Sequence, residues 1–187
     1  MKPINAITLS GFTLTAIALY LLNYIAFIPA WPVFITWACF FHLDGGINKN
    51  QAFFATVRHI GLGAFSAWVS ALLLLNNPFN HAFLATLWGP LLIALVIAVL
   101  MRLSTQVKFS VTPAIIYGYA IIWAFLSLPN VFTQTALTSL SFQNAFVVIY
   151  CCVLLGASAA YLNAMMVEAL CNMRIKGFSQ NPTNFSE

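Results

Sequence analysis

Few side chains in this sequence could do chemistry, and most of them fall in one neighbourhood. His42 and Asp44 stand just ahead of the paired glycines Gly45 and Gly46. Arg58 and His59 lie about a turn and a half inside the next apolar run, and Glu168 closes the last one. Imidazoles and a carboxylate so placed can bind a proton or a cation, and an ionisable residue inside an apolar run is a functional candidate because burying it is costly. A plainer reading of the same residues is interfacial: a polar helix end with Asp44 near Lys49, Arg58 reaching back to water, and Glu168 beside Asn163 and Asn172. Candidate partners for Arg58 are Asp44 and Glu168. The sequence holds no zinc-protease histidine pair, no Ser-His-Asp set on facing helix ends and no phosphate-binding glycine loop. Cys39, Cys151, Cys152 and Cys171 have no metal-binding spacing and read as small buried apolar residues. No enzyme, no metal and no cofactor is expected.

The elements that must hold these residues are apolar helices. Of 187 residues, 62% are hydrophobic and only 5% charged; a soluble domain needs about a quarter. Apolar runs cover 6–22, 24–41, 52–74, 82–101, 109–127 and 145–167. Each approaches the roughly 20 helical residues that cross a bilayer core of about 30 Å. The expected fold is therefore an all-α membrane protein with six transmembrane helices. It forms one domain over 1–176, with a polar tail at 177–187. Lys2 and the run behind it imitate a signal peptide, but the run is too long and no small-x-small site closes it, so it reads as a retained first span.

Charge orients the bundle. Lys2, Lys49, Arg58, Arg102, Lys108, Arg174 and Lys176 all fall on one side of a six-span topology. The connections near Asn23, at 75–81 and at 128–144 hold no Lys or Arg. Because basic loops stay in the cytoplasm, both termini are expected there. The net charge of +4 suits topology and anionic headgroups, and no basic cluster is dense enough for nucleic acid. The lipid bilayer is the expected partner, with a second copy of the chain and a small solute as further ones.

Patterns within the runs suggest roles. Pro29 and Pro32 sit early in the second run and Pro113 early in the fifth, so these helices either begin at the prolines or kink there. Trp31 and Pro32 lead into Phe34, Trp37 and Phe41, an aromatic stripe on one helix face; Pro113 leads into Tyr117, Tyr119 and Trp123. Such stripes either face lipid and core or line a solute path. Gly61, Gly63 and Ala67 on the third run, and Gly156 and Ala160 on the sixth, permit close backbone approach, so those two spans are expected to pack as a central pair.

The halves 1–76 and 77–176 also resemble each other. Ala52-Phe53 matches Ala145-Phe146, Leu62-Gly63-Ala64 matches Leu155-Gly156-Ala157, and Ala67-Trp68 matches Ala160-Tyr161 without a gap. Trp31-Pro32-Val33 aligns with Thr112-Pro113-Ala114. Three spans per half would give the halves opposite orientations, a 3+3 inverted repeat of the kind that transporters use. Asn77-Pro78-Phe79 invites comparison with the Asn-Pro-Ala boxes of aquaporins, but it lies in an outward loop and the other Asn-Pro follows every span.

The run Trp31-x2-Phe34-x2-Trp37-x2-Phe40-Phe41-x3-Gly45-Gly46, then Lys49 and a Gly/Ala-rich span reaching Trp68, resembles a family of small bacterial multi-spanning inner-membrane proteins of unknown function. Pro113-x4-Gly118-x5-Ala124-Phe125 is similar to a second patch of that family, and the resemblance covers roughly residues 10–165. His42-Leu43-Asp44 before the glycines, and the longer connection after the fifth span, depart from it. The resemblance implies a bacterial inner-membrane protein and names no substrate.

These features favour a channel or transporter for a neutral or weakly polar solute, with its path between the second and fifth spans. The alternative is an accessory or scaffold membrane protein with no path. For topology, reporter fusions after Lys49, Lys108 and Lys176 should read cytoplasmic, and fusions near Asn77 and Val131 external. A cytoplasmic reading from either outward loop would overturn the six-span arrangement.

Overall fold

A computed structural model describes residues 2–179, with side chains through Asn172. The described residues form seven α-helices: α1 (Pro3–Leu22), α2 (Ala30–His42), α3 (Lys49–Leu75), α4 (Ala82–Leu103), α5 (Thr112–Leu126), α6 (Gln134–Thr138) and α7 (Ala145–Ser179). A 3-10 turn, Val107–Phe109, precedes α5, and no strand occurs among the described residues. The basic side chains of Arg174 and Lys176, and the tail beyond Ser179, lie outside the described residues.

Four helices, α1, α3, α4 and α7, are long and apolar enough to cross a membrane. The second and fifth runs differ from expectation. Their helices have 13 and 15 residues, which at 1.5 Å per residue reach about 20 and about 22 Å. Of the two arrangements the prolines left open, the short helix is the one found. Pro29 is extended at the N-cap of α2, and Pro32 falls in the first turn, where a missing N–H breaks no helical bond. Pro113 takes the same kind of place in α5. The short helix α6 was not expected; the Thr133 hydroxyl caps it by accepting the Ala136 N–H at 3.2 Å.

The two short helices sit in the core, each laid along a long helix from the other half of the chain. Gly63 of α3 faces α5: a Cβ there would overlap the Ile115 carbonyl oxygen and stand 2.7 Å from the Tyr119 nitrogen. Gly118 of α5 faces back, and its Cβ would overlap the Ile60 carbonyl oxygen. Gly156 of α7 meets α2, where a Cβ would overlap the Val33 oxygen and approach the Thr36 Cβ to 2.8 Å. Ala67 is buried in the cluster shared with α5, and Ala160 in the one shared with Trp37 and Phe40 of α2. The third and sixth spans do pack on each other, as expected, but Gly63 and Gly156 are not what joins them. They serve contacts to the short helices, because only a residue without a bulky side chain lets two backbones meet. Gly61 looks across to α7, with Tyr150 3.0 Å from where its Cβ would be.

Aromatic rings add to the contact between α3 and α7, whose small and aliphatic residues share the core. Trp68 meets Phe146 at 5.7 Å and Phe53 meets Tyr161 at 6.2 Å, so the two helices run antiparallel. The helices α1 and α4 are peripheral. The first is tied to α7 by the Ser10 hydroxyl donating to Asn163 at 2.6 Å; the second leans on α3, with the Trp88 indole donating to the Leu73 carbonyl at 3.2 Å.

Burial repeats along the chain. In the register that sets Ala52 against Ala145, the buried positions His59, Gly63, Ala67, Ser70 and Ala71 of α3 fall on the buried positions Cys152, Gly156, Ala160, Asn163 and Ala164 of α7. Gly61, opposite exposed Leu154, breaks the pattern. On α2 the buried residues are Pro32, Val33, Thr36, Trp37, Cys39 and Phe40. On α5, apart from the last residue, they are Ala114, Ile115, Gly118, Tyr119, Ile121 and Ile122, with the same spacing. This register is one residue away from the one that aligned the prolines: Pro32 corresponds to Ala114, and Pro113 to Trp31.

Overpacking a backbone contact costs typically about 1–3 kcal/mol. Gly63→Leu and Gly156→Leu should each lower thermal stability in detergent by that order. Gly11→Leu on α1, where nothing lies within 4 Å of the added Cβ, should not. Equal stability of all three proteins would refute the close packing.

Candidate functional site

The end of α2 builds one wall of a polar pocket. Asp44 turns the chain with a φ of 60°, and its carbonyl oxygen accepts the N–H groups of Ile47 and Asn48, both at 2.9 Å. The glycines that follow do not share it: none has a positive φ among the described residues. Gly45 is needed instead for space, since a Cβ there would overlap the Phe40 ring. The turn presents His42 and Asp44 to a cavity of about 410 Å³. Asn48, Gln51, Arg58 and His59 line it from the α3 side, and Ser110 and Val111 from the start of α5.

His59 forms the inner wall and is 2% exposed. Its Nδ1 lies 2.7 Å from the Ala55 carbonyl oxygen, and its Nε2 receives the Val111 N–H at 3.3 Å. The ring edge meets Phe109 at 6.2 Å, and the Arg58 guanidinium sits 5.9 Å from the centre of the same Phe109 ring. The structure thus brings together four of the five sequence-read mouth residues, His42, Asp44, Arg58 and His59. It leaves Glu168 apart, in a neighbouring groove of about 550 Å³ with Phe41 and Lys49. The ion pair among the described residues joins Lys49 to Glu168 at 2.5 Å. Neither Asp44 nor Glu168 pairs with Arg58, because that side chain stacks over Phe109 and Glu168 is taken by Lys49.

At the other end of the bundle lies a second cavity, of about 550 Å³. Pro29 at the start of α2, Phe125 at the end of α5 and Val148 on α7 line it, with Asn130 and Gln143 from the connection between α5 and α7. In the burial register, Val148 corresponds to Ala55 and Pro29 to Val111, both of which line the first cavity. A bond is repeated as well. The Cys152 thiol, opposite His59 in register, lies 3.7 Å from the Pro29 carbonyl oxygen that it reaches as a donor.

The aromatic residues read as path candidates do not face a common space. Trp37 is 7% exposed and packs against Ala160 and Ala164 of α7, with Phe34 stacked on it at 6.0 Å. Trp31 and Pro32 are set into the packed start of α2. Phe41 is exposed, and so is Pro113. Tyr117, a path candidate if its stripe faced inward, is 42% exposed and does not. The one-residue shift explains it: its counterpart is exposed Ile35, while buried Trp37 corresponds to Tyr119. Trp123 is half-buried between Tyr119 and Phe132, and its indole N–H has no partner.

A family model described as protein of unknown function (DUF1097) matches residues 8–168. The chain belongs to that family. No curated protein and no solved structure matches it. In this DUF1097 protein, sequence reasoning missed Ser110, Val111 and Gln51, along with the whole second cavity. Backbone groups and neutral polar side chains, such as Ser110 before α5 and Gln51 in the first turn of α3, carry no signal of type or spacing. The repeat register, once placed correctly, would have pointed to Pro29 and Val148.

The geometry also fixes how the charges couple. Since no direct contact links Asp44 with Arg58, alanine at each should lower stability additively in a double-mutant cycle. Lys49→Ala and Glu168→Ala should instead show a coupling of up to about 1 kcal/mol, as befits a partly exposed pair. Coupling between Asp44 and Arg58, with none between Lys49 and Glu168, would reverse this assignment.

Proposed function

We propose that this DUF1097 protein is a small-solute channel or transporter of the bacterial inner membrane. In this reading all six apolar helices are spans, two of them short, both termini are cytoplasmic, and the halves form a 3+3 inverted repeat. The observation that carries it is the pair of cavities at opposite ends of the bundle, lined at corresponding positions of the two halves. Further support comes from the antiparallel α3 and α7, where the Trp68–Phe146 contact corresponds to Tyr161–Phe53. That self-matching is what a twofold axis between the halves requires. Inverted repeats place a solute site near the midplane, with access that alternates between the two ends. Few charges line the cavities, so a neutral or weakly polar solute fits best.

One observation favours the accessory or scaffold reading. Between the cavities, Cys39, Ile60, Ile115, Ile122, Ile149 and Val153 form a closed apolar core. A transporter must part this seam, whereas a scaffold never does.

Purified protein in liposomes, tested with a panel of small neutral and weakly polar solutes, separates the two. Gln51→Cys and Gln143→Cys, one in each cavity, should leave flux intact. A membrane-impermeant thiol reagent should then block each from its own side only. Folded protein that moves no solute in the panel would leave the scaffold reading.

A further inference from the structure

We propose that His59 is a proton-binding site that latches the start of α5 onto α3, so that taking up a proton opens the inner wall of the polar cavity. The roles of the ring atoms follow from their partners. The Val111 N–H can only donate, so Nε2 must offer its lone pair. The hydrogen therefore sits on Nδ1, which donates it to the Ala55 carbonyl oxygen. This is the neutral ring, with both nitrogens occupied. A proton arriving from cavity water and bonding to Nε2 would put two N–H donors face to face. The Val111 N–H bond must then break, leaving that amide to water.

The bond matters because, although Ala114 and Ile115 pack tightly on α3, few other hydrogen bonds hold the first residues of this helix. The α5 N-cap, Val111, has no side-chain capping bond, and Pro113 brings no N–H to the first turn. The cavity brings water to an otherwise buried ring. Arg58 on α3 and His42 and Asp44 from the end of α2 line that cavity; Lys108 is the exposed neighbour of its lining residue Val107, and the buried Cys39 is on α2. No titratable side chain of α5 precedes Tyr117, and Tyr150 of α7 is turned to Gly61. Asp44 is the one anion lining the cavity, able to hold the charged ring once it swings free; Arg58 opposes the charge while the latch is closed. At the other end the corresponding bond is made by Cys152. A neutral thiol donating to a carbonyl gains no charge over the same pH range. One end of the bundle is then proton-operated and the other is not. Its consequence for solute access rests on the transport reading; the latch itself does not.

Hydrogen–deuterium exchange in lipid nanodiscs, corrected for the intrinsic rate, tests it between about pH 8 and about pH 5, the range in which histidine changes charge. The segment holding Val111 and the first turn of α5 should lose protection at the lower pH, by about tenfold for each pH unit below the titration of the released ring, since only that ring can take the proton at Nε2. His59→Gln keeps an acceptor for Val111 without a titration and should abolish the response. His42→Gln should keep it. In protein labelled with 15N-histidine, His59 should hold its hydrogen on Nδ1 at the higher pH and become doubly protonated as protection falls. A ring still neutral at about pH 5, a response that survives His59→Gln, or one lost with His42→Gln would overturn the latch. The nitrogen spectra decide the matter even if His59→Gln fails to fold. A pH response without flux of any solute would sink transport and leave the latch. Flux with no response at α5 would do the reverse.

Discussion

In the six-span reading proposed above, a helix of 13 residues is about 10 Å too short for the hydrocarbon of a bilayer, and the architecture answers that mismatch. Non-helical backbone at membrane depth must be buried in protein or line a wet cavity, since lipid offers its N–H and C=O groups no partner. In that reading the last residues of the two approaches are the parts drawn in: Pro29 before α2 and Val111 before α5 are half-buried, and each lines one of the two cavities. Length, burial and cavities are in this sense one feature.

Enclosure needs close contact, and apolar side chains alone do not supply it, because lipid tails are as apolar as leucine. Gly63, Gly118 and Gly156 remove the side chain where backbones meet. Polar bonds then fix the depth of each helix: Tyr119 donates to Ser70 at 3.3 Å, and the Trp68 indole to the Leu137 carbonyl at 3.0 Å. Two hydroxyls, on Thr56 and Ser139, and the Trp123 indole are buried without partners. They lie in a structure whose other polar contacts are largely satisfied.

Much of the fold was legible because it depends on local composition. Apolar runs gave the helices their places, and the gapless Ala52–Ala145 match marked positions that are buried on both helices. The match of Pro32 to Pro113 misled by one residue. A proline marks where a helix can begin and says nothing about which face is buried, and a step of one residue turns a side chain by about 100°. That put Tyr117 on the wrong side and hid Tyr119 as the partner of Trp37. At the site, side-chain types identified His42, Asp44, Arg58 and His59. The pairing of Lys49 with Glu168 and of His59 with a backbone amide depends on how distant helices meet, which no local pattern records.

The exchange of partners between halves has a consequence for biosynthesis. The chain makes α2 early, but the face against which it packs is on α7, the last helix to emerge. At ribosomal rates of about 5–20 residues per second the interval is on the order of ten seconds. Through that time a 13-residue helix has only its smaller contact with α3, where Phe40 meets the cluster of Ala52. In the six-span reading its early residence is provisional. The first half becomes native only when the second half arrives to receive it.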